Sequence, residues 1–255
     1  MNQQAPSLSI PPKLIETLRS ARYVVVLSGA GVSAESSIPT FRDAQTGLWA
    51  KYDPEELATP QAFRRNPRLV WEWYTWRREL VSRAKPNPGH LALAALEQHI
   101  PKFRLITQNV DGLHQQAGSY SVIELHGNIY RTICSEEGTV VETWPETTHV
   151  PPRCPHCNGL LRPDVVWFGE MLPLTALEAA FEAAQSCDFF FSIGTSGLVH
   201  PAASLPMVAL EQGAVVVEIN PDTTMLTSGM TYVLRGPAGQ ILPALLRAAW
   251  PNSPR

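Results

Sequence analysis

The sequence predicts an α/β fold built on a doubly wound, mostly parallel sheet. Two observations carry this. Six short runs rich in β-branched and aromatic residues alternate with helix-patterned segments, and the first run leads straight into a glycine-rich turn. The 255 residues are 44% apolar, enough to build a core, which excludes a disordered chain. With 20 Lys+Arg against 23 Asp+Glu, the chain lacks the basic footprint of a nucleic-acid or anionic-membrane binder.

The strands are expected at 23–28, 103–107, 121–125, 188–193, 214–219 and 230–234. Helical patterns precede the first at 13–21, the second at 89–99 and the fourth at 174–186. Asn87 and Pro88 start the second of these helices. A helix at 201–212 is closed by Gly213, and one at 240–249 ends the pattern. Two segments break the alternation. One, 43–84, runs from a loop into a helical stretch rich in Trp and Arg; the other, 130–162, has short extended pieces and three of the four cysteines. Both read as insertions that together form a smaller lobe, and clefts between lobes and at strand C-termini bind ligands in such folds. The residues from Met1 to Lys13 show no cationic start followed by an apolar core, and the longest uncharged stretch, 189–210, is broken by Gly194, Gly197, Pro201 and Pro206. A cytoplasmic protein without membrane contact is expected.

Chemistry is expected at the strand ends. Ser28-Gly29-Ala30-Gly31-Val32-Ser33-Ala34 matches the glycine pattern that brings backbone and a helix N-terminus to a pyrophosphate, so the sheet is Rossmann-like. A tight strand–helix turn would need the same glycines. No second strand ending in an acid follows about 20 residues on, which argues against a hydride-transferring dehydrogenase. Gln108, Asn109 and Asp111 follow the second strand, where they suit either a ligand or the cap of the next helix. His126 ends the third strand and is a general-base candidate; His90, His99 and His114 read as structural. Gly194-Thr195-Ser196 and Glu218-Ile219-Asn220 close the fourth and fifth strands with groups suited to ribose or phosphate. Cys154-Pro-His-Cys157 is a metal knuckle by spacing.

Taken together these residues resemble the sirtuin family of NAD-dependent protein deacylases. The resemblance rests on six pieces in the family's order: 29–42, Thr107 to Asp111, His126-Gly127, Val165 to Glu170, Gly194 to Ser196, and Asn220. It covers about residues 12–249 as one catalytic domain. It implies a large lobe from about 12–43, 85–129 and 163–249, with a small lobe from 44–84 and 130–162, the latter zinc-ribbon-like. It implies that the acyl-lysine oxygen attacks the nicotinamide ribose, that an alkylimidate forms, and that His126 then acts as base on a ribose hydroxyl. Asn109 and Asp111 would orient the nicotinamide and its ribose, with Gln108 at its border. Thr40, Phe41, Arg42 and Trp49 would join the lid and lining, with Ser28 to Ala34, Gly194 to Ser196, Asn220, Pro221, Asp222 and Ala238 along the dinucleotide. The acyl-lysine peptide would add as a strand near Val166, Trp167 and Phe168.

Within the family, Trp71-Glu-Trp-Tyr74-Thr-Trp-Arg77 resembles the desuccinylase class. Its Tyr-x-x-Arg pair, here Tyr74 and Arg77, reads a carboxylate on the acyl group; the neighbouring Arg78 is expected to be a solvated helix charge. Two departures stand out. Ser37 replaces a family glycine and is strained if φ is positive there. The four-cysteine zinc site is reduced to Cys134, Cys154 and Cys157, with His149, His156 or a water as candidate fourth ligand and Cys187 in the core. Protein ADP-ribosyl transfer and non-catalytic NAD sensing are the rival readings, and His126 weighs against the first.

Overall fold

In the computed structural model, which describes residues 9–38 and 57–251, a six-stranded sheet has the order β3-β2-β1-β6-β7-β8. Its strands are β1 Tyr23–Ser28, β2 Lys102–Thr107, β3 Val122–Glu124, β6 Phe189–Ile193, β7 Val215–Asn220 and β8 Tyr232–Arg235. Every neighbouring pair is parallel. The chain builds outward from β1 to β3, then returns to the other side of β1 with β6. This reversal opens a crevice beyond the C-terminal ends of β1 and β6.

The strands are unbroken apolar runs because both faces are covered. On one face Val24, Val26, Leu105, Phe189, Phe191 and Val217 meet Leu14 and Leu18 of α1 (Pro12–Ser20), Leu93 of α4 (Pro88–His99) and Leu245 of α8 (Ala238–Ala249). On the other Val25, Leu27, Ile106, Phe190 and Val216 meet Ala180 and Ala184 of α6 (Leu174–Ser186) and Leu205 of α7 (Leu205–Glu211). The expected helix 201–212 is a 3₁₀ turn, Ala202–Ser204, followed by α7. Pro206, with no N–H to donate, falls in the first turn of that helix, where proline is tolerated.

The two irregular segments pack on each other. Helices α2 (Pro60–Arg65) and α3 (Pro67–Arg83) start at Thr59-Pro60 and Asn66-Pro67, whose Thr and Asn oxygens accept from Ala62 N and Leu69 N at 3.1 Å each. Phe63, Val70, Trp73 and Tyr74 meet Ile129 and Val165 of the antiparallel pair β4 (Gly127–Cys134) and β5 (Leu161–Val165). Arg78 is not the expected solvated charge. It donates to the Ile129 and Arg131 carbonyls and to Thr132 Oγ1, tying α3 to β4. No helix among the described residues is long and apolar enough to cross a membrane.

Candidate active site

The polar groups expected at strand ends gather along one edge. Ser28 ends β1, Thr107 ends β2, His126 follows β3, Gly194 follows β6 and Asn220 ends β7. The glycines have a partner within the chain. Gly31 N donates to Gly194 O at 2.8 Å. A Cβ on Gly29 would lie 2.7 Å from that carbonyl, and one on Gly194 (φ +60°) would meet Val32 N at 2.5 Å. The glycines therefore seat the β1 loop on the β6 loop. The α-helix expected after them is replaced by two 3₁₀ turns, Ala30–Val32 and Ala34–Ser36, and Ser37 is left-handed at φ 63°. Thr40, Phe41, Arg42 and Trp49 lie outside the described residues.

Hydrogen bonds join most of the remaining set. Gln108 Nε2 donates to Thr195 Oγ1 at 3.1 Å, and Asn220 Nδ2 donates to Thr195 O at 2.9 Å. Asn109 Nδ2 donates to Gly29 O and to Ser33 Oγ at 3.1 Å each, which leaves its Oδ1 as an acceptor. Ser33 Oγ donates to Asp111 Oδ2 at 2.7 Å, while Asp111 Oδ1 accepts from Leu113 N at 2.9 Å. Asp111 thus faces the site and also starts the short helix α5 (Leu113–Gln116). Its burial pushes the carboxyl pKa up, against the pull of these donors.

His126 Nδ1 lies 2.9 Å from Gln108 O. A carbonyl only accepts, so Nδ1 carries the proton and Nε2 keeps its lone pair. Burial lowers the His126 pKa, only partly offset by this bond, so the ring is neutral at physiological pH. Gly127 (φ +80°) follows, and a Cβ there would meet Asp164 O at 2.2 Å. Glycine is what lets the chain turn from His126 into β4.

Two histidines read as structural lie directly beneath. Asn87 N donates to His90 Nδ1 at 3.3 Å, so His90 Nε2 donates to Ser33 Oγ at 3.4 Å. His114 Nε2 lies 2.8 Å from Ser28 Oγ, which itself donates to Thr107 Oγ1 at 2.9 Å. His114 therefore donates through Nε2, and its Nδ1 is a buried atom without a partner. Burial pushes the pKa values of His90 and His114 down to about 4 and about 3. Their link to Ser33 and Ser28 crosses over 50 residues of chain, so no local pattern announces it.

Other expected residues sit at the rim. Asp222 N donates to Asn220 Oδ1 at 3.3 Å, Pro221 is exposed beside it, and Ser196 is half-buried. Ala238 opens α8 and is buried. Glu218 is occupied by Thr224, Thr227 and Arg235, so it anchors the 221–231 loop.

On the β5 side, the N–H groups of Val166, Trp167 and Phe168 are all engaged, by His126 O at 3.0 Å, Glu170 Oε2 at 2.8 Å and Ala58 O at 2.9 Å. These three donors are therefore satisfied within the chain. Trp167 Nε1 donates to the buried Tyr74 hydroxyl at 3.0 Å. The Arg77 guanidinium packs 4.8 Å from the Trp73 ring centroid and 5.6 Å from that of Tyr74, and burial lowers its pKa. One face of α3 thus presents both members of the Tyr-x-x-Arg pair.

Three of the cysteines meet where β4 ends and β5 begins. Ligand atoms of Cys134, Glu137, Cys154 and Cys157 all lie within 4.8 Å of one another. Glu137 is in this group, whereas His149 and His156, two of the three candidates for the fourth ligand beside a water, are not. Three sulfurs and an oxygen suit zinc. Cys187 is buried against the second core face, as expected.

Comparison with known proteins finds relatives in both sequence and fold. An NAD-dependent protein deacylase of Aquifex aeolicus is 58% identical over 207 residues, covering 80% of this chain and 85% of that protein. A Sir2 homologue solved in complex with NAD aligns at a TM-score of 0.88 with 47% identity, over 96% of each chain. A Sir2 protein bound to acetylated peptide aligns at 0.82 with 31% identity, over 92% of this chain and 96% of that one. The family model described as Sir2 family matches residues 29–201, from the glycine turn through the β6 loop. With the strand-end polar groups in one connected edge, this chain belongs to the Sir2 family.

Proposed function

We propose that this protein is an NAD-dependent protein-lysine deacylase that accepts succinyl and malonyl groups as well as acetyl. The observation that carries the activity is the fixed tautomer of His126. Its Nδ1 is tied to Gln108 O, leaving Nε2 as a neutral base at the C-terminal edge of the sheet. NAD, when bound, supplies an activated ribose carbon and the hydroxyl that receives the acyl group. Ser28 to Ala34, Gly194 to Ser196, Asn220 to Asp222 and Ala238 hold the dinucleotide. Asn109 offers Oδ1 toward the nicotinamide amide, because its Nδ2 is committed to Gly29 and Ser33. Asp111 is held by Ser33 beside it. His126 Nε2 takes the proton of the ribose hydroxyl.

The acyl-lysine peptide lies along 166–168, receiving no N–H from that segment and donating its own. We assign 44–84 and 130–162 to a small lobe, whose described residues from Leu57 onward pack on β4 and β5, and 12–43, 85–129 and 163–249 to the large one. A distal carboxylate pairs with the Arg77 guanidinium and the Tyr74 hydroxyl, both on one face of α3. The Tyr74 hydroxyl accepts from Trp167, so its own proton remains to donate. The test follows succinyl- and acetyl-lysine forms of one peptide by mass spectrometry in Arg77→Met and Tyr74→Phe. Succinyl turnover is expected to fall at least tenfold more than acetyl turnover. Equal losses would return the pair to a packing role.

A further inference from the structure

We propose that Glu137 is the fourth ligand of a zinc ion shared with Cys134, Cys154 and Cys157. The cluster is made by two turns with the same hydrogen-bond pattern. In the first, Cys134 N donates to Thr139 O at 2.9 Å and Gly138 N donates back to Cys134 O at 2.9 Å. In the second, Cys154 N donates to Gly159 O at 2.7 Å and Asn158 N donates back to Cys154 O at 3.0 Å. The fifth residue of each turn is left-handed, Gly138 at φ 66° and Asn158 at φ 63°. Cys134 therefore corresponds to Cys154, and Glu137 to Cys157. Burial repeats the match: the first ligand of each turn is buried and the second exposed.

The turns are fastened to one another. Ser135 N donates to Leu160 O at 2.9 Å, and Cys134 pairs with Leu161 across β4 and β5. Cys134 Sγ and Cys157 Sγ are 3.3 Å apart. A tetrahedral zinc with bonds of about 2.3 Å sets its sulfurs roughly 3.8 Å apart, a small adjustment from this spacing. Gly159 leaves room for it, since a Cβ there would stand 3.3 Å from Cys157 Sγ and 3.4 Å from Cys134 Sγ.

A carboxylate serves in the fourth place for two reasons. Ionised, it carries the same charge as the thiolate it replaces, so the balance with a divalent ion is kept. The carboxylate also has a donor beside it: Thr139 Oγ1 lies 3.4 Å from Glu137 Oε2. The exposed His149 and His156 stand outside the cluster.

The test is zinc-edge X-ray absorption and chelator competition on the full chain, neither of which depends on NAD or deacylation. The wild-type protein is expected to show three sulfurs and one oxygen at about 2.0–2.2 Å. Glu137→Cys is expected to show four sulfurs, and Glu137→Ala to lose zinc to the chelator at least tenfold more readily. Three sulfurs in Glu137→Cys would overturn the proposal. So would wild-type zinc retention in Glu137→Ala, an imidazole scattering pattern in the wild type, or wild-type protein that takes up no zinc.

Discussion

The buried pair His90 and His114 makes the stability of this fold acid-sensitive by an amount that can be worked out. Unfolded, each imidazole takes up a proton below its ordinary value of 6.5; folded, they resist until about 4 and about 3. Between those limits the unfolded chain binds more protons, so stability falls as pH drops. From pH 7.5 to 5.0 each neutral native histidine costs RT ln(1 + 10^1.5), about 2 kcal/mol, so the pair costs about 4 kcal/mol. Both rings are fully buried, which keeps solvent from screening the effect. His114→Gln keeps a donor for Ser28 and removes one titrating ring. Urea unfolding of both proteins at pH 7.5 and 5.0 isolates His114, because every other titrating group is common to the two. The variant is expected to lose about 2 kcal/mol less than the wild type over this range. Identical pH dependence would refute the assignment of a buried, neutral His114.

Further outcomes are expected elsewhere. Because burial lowers the His126 pKa and the base must be neutral, the acid limb of kcat/KM should have its midpoint below 6.5; a pH–rate profile with its midpoint at or above 6.5 would contradict the geometry. Ser37→Gly relieves a left-handed serine and should raise unfolding stability by about 1 kcal/mol, read from the urea midpoint. Gly127→Ala drives a Cβ to 2.2 Å from Asp164 O, so calorimetry should show a loss of at least ~2 kcal/mol, with deacylation impaired through the displaced His126.

Much of this was legible in the sequence, for physical reasons that differ by element. The strands announced themselves because a parallel sheet covered on both faces needs unbroken apolar runs such as Val24 to Leu27. The polar groups that the structure gathers at the strand ends were legible because each ends or follows such a run. What escaped notice depends on long-range partners or on chemistry other than the expected kind. Arg78 looked solvated because its acceptors lie more than 50 residues away on β4. The helix expected after Gly31 gives way to 3₁₀ turns ending in the left-handed Ser37, just ahead of Ile38-Pro39, where proline disfavours helix in the residue before it. Glu137 stands three residues after Cys134, the spacing of the second knuckle, but a carboxylate in a polar turn carries no metal signal until the fold brings it beside the cysteines. The intrachain acceptors of the 166–168 donors, on His126, Glu170 and Ala58, were not legible because only the fold brings them near.

The central claim is that the strand-end cluster transfers acyl groups from lysine with His126 as base. Its most direct test incubates wild type and His126→Ala with NAD and matched acetyl-, malonyl- and succinyl-lysine peptides, following nicotinamide release and peptide mass. The wild type should release nicotinamide and deacylated peptide in step, while His126→Ala still binds NAD but forms no deacylated peptide. Normal turnover in His126→Ala, ADP-ribosylated peptide as the main wild-type product, or no wild-type turnover on any of the three would contradict it.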